Sequence, residues 1–476
     1  MEQHAAGQST AGSAFGQSSG PWRAIRSAVS PRVALATYST IAVLIVLAAP
    51  SVRALVPIGA PGSELPNWIL GLLAPLSALN LHPEHGQISP ILVVLTATAA
   101  ICMPVAWLLV VDGGHQIRLK TIVWTIIGLY ALMAIAPPLL STDVFSYLSG
   151  GRLEVLYGVN PYEHGPVVRP QDPIFGWTGL IWLDTPTVYG PLFTLLTAAL
   201  TFIGPIGSLW ALKVFTAACG LLCVWLTWSI AESLGRDPLP ATLFVALNPL
   251  MLIYTAGGAH NDLVALALLL FASKLLIESR FGRSGVAMAA AIGVKATAGL
   301  ALPFLIVGAA VRRSRGGWSL AGGFALGALA VALLGTAFYG LHWLAIPASI
   351  ADGTSLHIGE LHSFPGVIAG YLGIGPIGPI ARAVLLAGVA VVVVLALRSS
   401  IRSRDGWISG FAVSMMALLV LSTQLHPNYV VLALPFAALS DDRRVRHAAV
   451  ALTLGVVAIQ IIRGILPMGV GWPHGG

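Results

Sequence analysis

Asp143 is the side chain of this sequence best placed to act as a general base. It stands in Ser141-Thr-Asp-Val-Phe-Ser-Tyr-Leu-Ser-Gly-Gly-Arg-Leu-Glu154, just after an apolar stretch that ends in Pro137-Pro138. Ser141 or Thr142 can cap a new helix there, and an acid in the first turn favours the helix dipole. At helical spacing Asp143, Tyr147, Gly150 and Glu154 share one stripe, and Val144, Leu148, Gly151 and Val155 share the next. The pattern predicts an amphipathic helix on the membrane surface, its apolar face in lipid and a carboxylate at its start. An acceptor hydroxyl is a feeble nucleophile, and a carboxylate held against it can take its proton as attack begins. The same residues also read as a helix with Asp143 as its cap. Tyr147, Tyr157 and Tyr162 read as substrate contacts or as interfacial anchors, and Tyr157-Gly158 with Asn160-Pro161 ends the helix in a turn.

Three further polar groups interrupt apolar stretches. Gly257-Gly-Ala-His260-Asn261-Asp262 sets three polar side chains in a row, which is costly unless they pair or face water. Either His260 and Asp262 face the same cavity as Asp143, or Asp262 is a plain first-turn charge on its helix. Gln424-Leu-His426-Pro-Asn-Tyr429 is a site or a polar turn with proline starting a helix. Lys295, in Gly293-Val-Lys-Ala296, holds a lipid phosphate or snorkels to the interface. His357, Glu360 and His362 give a weak metal signal, because no i, i+4 histidine pair occurs. Neither a metal nor a cofactor is expected.

The elements that must position these groups follow from composition. Hydrophobic residues make up 57% of the 476 and charged residues 9%, against about a quarter charged in soluble domains. Such a chain cannot cover itself with water-compatible surface and must use lipid as solvent. The expected fold class is all-α, a polytopic transmembrane helical protein with about 12–14 passes and amphipathic surface helices in its outer loops. The apolar stretches expected to span or dip into the membrane run over 33–56, 89–111, 121–140, 190–233, 240–256, 259–278, 284–311, 317–339, 376–397, 407–423, 428–440 and 447–466. Residues 1–31 are polar and predict a disordered cytoplasmic tail, leaving 32–476 as one membrane domain. Cys102, Cys219 and Cys223 lie in apolar stretches and read as buried small hydrophobes.

Charge sets the expected orientation. The net charge of +7 gathers in the tail and short loops, such as Arg312, Arg313 and Arg315, or Arg443, Arg444 and Arg446. The positive-inside rule keeps those loops in the cytoplasm, so the protein is expected in the cell membrane with 57–88 and 141–189 outside. The second loop holds the candidate base, and loops of that length are usually functional. Keeping Arg236, Arg280 and Arg283 inside requires 190–233 to be one crossing plus a re-entrant piece. It also makes 284–311 two short helices meeting at Lys295. No basic run is long or interleaved with stacking aromatics, so nucleic acid is not an expected partner.

Several motifs in order carry a family resemblance. They are Asp143-Val-Phe-Ser-Tyr147, Gly151-Arg152, Tyr157-Gly-Val-Asn-Pro-Tyr162 and Tyr189-Gly-Pro191, then Asn248-Pro249, Gly258-Ala-His-Asn-Asp262, Gly293-Val-Lys295 and His426-Pro-Asn-Tyr429. Together they resemble the polyprenyl-phosphate-mannose-dependent alpha-1,6-mannopyranosyltransferases of mycobacteria and corynebacteria, in membrane glycosyltransferase superfamily C. The resemblance implies a polyprenyl-phosphate-mannose donor and a lipid-anchored alpha-1,6-mannan acceptor, a glycolipid of lipomannan type. It implies inverting transfer on the non-cytoplasmic face of an actinobacterial-like cell. Asp143 matches the superfamily's catalytic aspartate, early in a large outer loop. Tyr147, Arg152, Tyr162, Tyr189, His260, Asn261, Asp262, Lys295 and His426 match motif positions and are expected substrate contacts. The apolar spans before Asp143 depart from the simplest superfamily pattern, in which the loop follows the first span.

A polyprenyl phosphate leaves as an anion, so this chemistry needs no second carboxyl acid. A cation such as Arg152 or Lys295 can stabilise the departing phosphate. Two other classes compete. A transporter or flippase of a lipid-linked sugar calls for ionisable groups in mid-membrane and related halves. A lipid-polysaccharide ligase calls for a basic outer loop, which is lacking here.

Overall fold

The computed structural model describes residues 21–48, 90–345, 363–374 and 376–465. Residues 57–88, expected to form an outer loop, and the trio His357, Glu360 and His362 lie outside the described residues. Every regular element among those described is helical, as lipid solvent demands of a chain that must satisfy its backbone polar groups internally. Helix α1 (Pro21–Ala28) lies in the stretch expected to be a disordered tail, and its Arg26 sits 2.8 Å from the buried Asp112 carboxylate. There follow α2 (Pro31–Ala48), α3 (Pro90–Gly113), α4 (Leu119–Ile135), α5 (Asp143–Tyr157), the single turn α6 (Leu180–Leu183), α7 (Pro191–Leu200), α8 (Gly204–Ser233) and α9 (Pro238–Ala246). The second half holds α10 (Asp262–Ile277), α11 (Phe281–Val294), α12 (Leu302–Arg312), α13 (Gly316–Tyr339), α14 (Phe364–Tyr371), α15 (Pro379–Ser400), α16 (Gly406–Leu421), α17 (Leu434–Ala438) and α18 (Arg443–Ile465).

Among the described residues, four helical stretches are long and apolar enough to cross a membrane: Thr98–Gln116, Pro191–Ser233, Gly316–Tyr339 and Pro379–Ser400. A fifth is Pro238–Ala246 with Leu250–Ala256, if that bent pair is one span. Shorter apolar helices, α2, α4, α11, α12 and α16 among them, accompany these. Several expected spans are broken by polar residues. In 240–256 the break is Asn248-Pro249, where Asn248 Oδ1 accepts from Leu250 N at 3.0 Å and Nδ2 donates to Thr453 at 3.1 Å. The 284–311 stretch breaks at Lys295, between α11 and α12, as the charge argument required. Cys219 and Cys223 are buried, whereas Cys102 on α3 is exposed.

Ion pairs gather the basic loops at one end of the molecule. Arg236 contacts Asp441 and Asp405, Arg312 contacts Asp405, and His115 lies 2.8 Å from Asp237. Lys274, near the end of α10, donates to Ser229 and Ser233 at the end of α8. The 16 residues of α10 separate this end from Asp262 by about 24 Å of helix. Asp143 and Arg236 therefore sit at opposite ends. Helix α7, with 10 residues, spans only about 15 Å and cannot cross a core of about 30 Å. The 30-residue α8 makes the crossing between them.

Helix α5 packs on α7. Its apolar stripe was expected to face lipid, but Val144 and Leu148 are 0% and 2% exposed, buried against protein. Gly151 is the reason: a Cβ there would lie 2.4 Å from the Thr197 backbone, so the missing side chain lets the two helices touch. Gly158, with φ 61°, closes α5, its N–H reaching Glu154 O at 3.1 Å and the Val159 N–H reaching Leu153 O at 3.0 Å. Gly151→Val is expected to lower stability by about 3 kcal/mol through overpacking against rigid backbone. The midpoint of thermal unfolding in detergent reads that loss.

Candidate active site

Two strained turns build the site. Leu140, three residues before Asp143, has φ 62°, and Ala259, directly before His260, has φ 56°. Non-glycine residues in the left-handed region carry a cost of order 1–3 kcal/mol and persist where the surroundings impose them. Here the turns are tied together. Gly257 O accepts from Leu139 N at 3.1 Å and from the fully buried Lys213 Nζ, on α8, at 3.0 Å. These bonds bring the start of α5 beside the start of α10.

Asp143 lies between two donors. Trp182 Nε1, from α6, donates to Oδ1 at 3.0 Å, and His260 Nδ1 lies 3.4 Å from Oδ2. The same His260 nitrogen is 3.3 Å from the Tyr147 hydroxyl, so carboxylate and phenol share one imidazole edge. Ser141 Oγ accepts from Asp143 N at 3.1 Å, so Ser141 caps the helix and Thr142 makes no side-chain cap. Burial pushes the Asp143 carboxyl up, but the hydrogen bond and charge of His260, with help from His426 and Ser141, outweigh it and hold the group well below the usual carboxylate range. The carboxylate is 19% exposed. Tyr147 and Tyr189 meet edge-on at 4.7 Å between ring centres. Burial, and then the neighbouring charges, keep both phenols protonated.

A second polar group lies deeper. Lys295 Nζ donates to Asp262 Oδ1 at 2.8 Å, and Asn428 Nδ2 donates to Asp262 Oδ2 at 2.7 Å. The ammonium also stands 4.3 Å from the centre of the Tyr429 ring. Asp262 is 0% exposed and Lys295 7%, a fully desolvated pair. Asn261 Oδ1 is 3.4 Å from the same ammonium, and its buried Nδ2 has no hydrogen-bond acceptor among the described residues. His426 packs on Tyr429, ring centres 5.3 Å apart. Its imidazole is pushed down by burial and by the Lys295 and His260 charges, against the pull of Asp143 and Asp262. The motifs around 143, 260, 295 and 426 thus converge at one end of the bundle.

Arg152 and Tyr162 have other partners. The Arg152 guanidinium grips Asp172 with Nε 3.0 Å from both carboxylate oxygens, and Tyr157 donates to the same carboxylate at 2.9 Å. Arg152 is therefore engaged in pinning the loop after α5 back onto that helix, and Lys295 is engaged with Asp262. Neither presents an unpaired charge for a departing phosphate. The Tyr162 hydroxyl bonds Tyr189 O and Thr194, both at 2.9 Å, and so orders the loop. Tyr147 and Tyr162 are buried, so neither acts as an interfacial anchor. Sequence reasoning missed Trp182 and Asp172. The density of aromatics in 141–189 is the signal for the first, and the second had none. No three His, Cys, Asp or Glu side chains come together among the described residues.

An all-helical, apolar bundle with a carboxylate-centred polar site at one end of its helices defines a polytopic membrane protein with a built polar site. Residues 52–312 match the family described as "Alpha-(1->6)-mannopyranosyltransferase, N-terminal domain", and residues 355–465 match the "MptB C-terminal domain". The chain belongs to the alpha-(1->6)-mannopyranosyltransferase family. It is 33% identical over 192 residues to alpha-(1->6)-mannopyranosyltransferase A of Mycobacterium tuberculosis, covering 40% of this chain and 36% of that protein. Against alpha-(1->6)-mannopyranosyltransferase A of Corynebacterium glutamicum it is 30% identical over 198 residues, 41% of this chain and 40% of the relative. With the corynebacterial enzyme B the identity is 24% over 379 residues, 71% and 62% of the two chains. The chain thus spans well under half the length of the first two relatives it matches. No solved structure matches it.

Proposed function

We propose that this protein transfers mannose from a polyprenyl-phosphate-mannose donor to a hydroxyl of a lipid-anchored alpha-1,6-mannan, on the non-cytoplasmic face of the membrane. The observation that carries the reading is the Asp143 carboxylate, oriented by Trp182 and His260 at the end of the bundle away from the basic loops. Held below the usual carboxylate range, the carboxyl is ionised at neutral pH. It therefore accepts the hydroxyl proton only as the attacking oxygen becomes acidic in the transition state. Attack on the anomeric carbon and departure of the polyprenyl phosphate then occur in one displacement, which inverts the anomer. The phosphate leaves as a stable anion and needs no proton, and no metal enters the step. The unpartnered Asn261 amide supplies a donor for a sugar oxygen.

The test is transfer by the full chain in detergent, from several polyprenyl-phosphate-mannose carriers to a short alpha-1,6-mannoside. The product is expected to carry the opposite anomer from the donor, at a rate unchanged by a chelator. Retention of configuration, or no transfer from any carrier, overturns the reading. The face is tested separately, in a Cys102→Ser background because Cys102 is exposed. A cysteine at position 143 is expected to react with an impermeant maleimide from outside the cell, and one at position 315 only after permeabilisation. The reverse pattern sinks the assignment of sides.

A further inference from the structure

A separate cavity opens at the opposite end of the molecule. Its volume is about 450 Å³, and its polar wall comes from α1, the end of α3, the α8–α9 turn and the start of α18. The charges around it do not balance. Arg26 pairs with Asp112, His115 with Asp237 and Arg236 with Asp441, which uses every carboxylate lining the cavity. Arg443 and Arg446 also line it and have no ion-pair partner among the described residues. They stand three residues apart in the first turn of α18, on one face of that helix. The Arg446 Nε is shielded from solvent and has no hydrogen-bond acceptor among the described residues. Burial weighs most against its charge, Arg443 and Arg236 add to that, and Asp441 and Asp442 favour it. A shielded guanidinium donor without an acceptor is costly, and an anion that accepts from it relieves that cost.

The lining also includes the apolar side chains Val111, Ala241, Phe244 and Leu439. A guanidinium pair in one cavity with apolar side chains, at the end where the basic loops gather, suits a phosphate carried on a hydrocarbon body. We propose that this cavity binds the phosphate group of an anionic lipid, with Arg443 and Arg446 as its ligands, in a site distinct from the one at Asp143. Guanidinium groups match phosphate oxygens in geometry as well as charge. The inference stands independently of the transfer reaction, since it uses none of the residues placed in that site.

The experiment uses the full chain, delipidated in a zwitterionic detergent, with bound lipid counted by native mass spectrometry. The probes are phosphatidylglycerol, phosphatidylcholine and inorganic phosphate. One phosphatidylglycerol is expected to bind about tenfold more tightly than phosphatidylcholine. In R443A/R446A that preference falls below about twofold, and R443K/R446K retains part of it. The exposed pair Arg402 and Arg404, at the same end, serves as control: R402A/R404A keeps the preference. If inorganic phosphate alone competes fully with the lipid and stabilises wild type but not R443A/R446A, the same arginines bind the free ion. Equal binding of the two lipids by wild type overturns the proposal with no variant needed. So does an undiminished preference in R443A/R446A, or an equal loss in R402A/R404A.

Discussion

Asp143→Asn is expected to reduce the proposed transfer about a thousandfold while the protein accumulates and folds normally. General-base groups contribute factors of about 10²–10⁴, which sets the scale. The substitution is close to isosteric, and the amide oxygen can still accept from Trp182, whose indole is 3.0 Å from Oδ1. What disappears is the negative charge and the capacity to take a proton. The loss should therefore fall on kcat, with the KM for acceptor little changed. Because the folded carboxyl is held below its ordinary value, its ionisation stabilises the fold at neutral pH. That contribution is lost only as pH falls through the depressed folded value. Asn forgoes it, so a modest drop in unfolding midpoint accompanies the kinetic effect. Turnover within a few-fold of wild type would remove Asp143 from its role.

The second large effect concerns stability. Asp262→Ala leaves the Lys295 ammonium, 7% exposed, without its 2.8 Å partner, and it leaves Asn428 without its acceptor. Breaking a buried pair from one side costs about 3–5 kcal/mol, because the remaining charge stays desolvated. Lys295→Met should cost a similar amount by stranding the fully buried Asp262 carboxylate. The double variant Asp262→Asn/Lys295→Met is expected to recover most of that loss, since the net worth of a buried pair over neutral packing is small. Tryptophan-monitored unfolding in detergent gives all three values. Single variants that each cost under about 1 kcal/mol would show the pair to be solvated and the reading wrong.

The gathering of the polar motifs into one candidate site was legible along the chain. The motifs around Asp143, His260, Lys295 and His426 stood at the ends of apolar stretches, where polar residues are expensive unless gathered, and the fold does gather them. The break at Lys295 was legible too, because the charge rule demanded it. The surroundings of α5 were misread. Its alternation of apolar and polar stripes is the same whether the apolar stripe meets lipid or another helix, and only the approach of α7 at Gly151 distinguishes the two. Arg152 was misjudged for a related reason. Nothing about its spacing from Asp172 reveals that the two carboxylate oxygens fill its fork.

A helical membrane protein with polar clusters at helix ends follows from the amino-acid order alone, because hydropathy, helical period and breaker residues act over a few turns of chain. Only the tertiary structure decided which carboxylate meets which cation. Asp262 takes Lys295 across 33 residues and Asp172 takes Arg152 across 20, which leaves Asp143 to His260 and Trp182. Those choices depend on how closely helices can approach, through glycines such as Gly151 and through the Gly257 carbonyl that joins two strained turns. Distances of that kind belong to packing, and local spacing along the chain does not carry them.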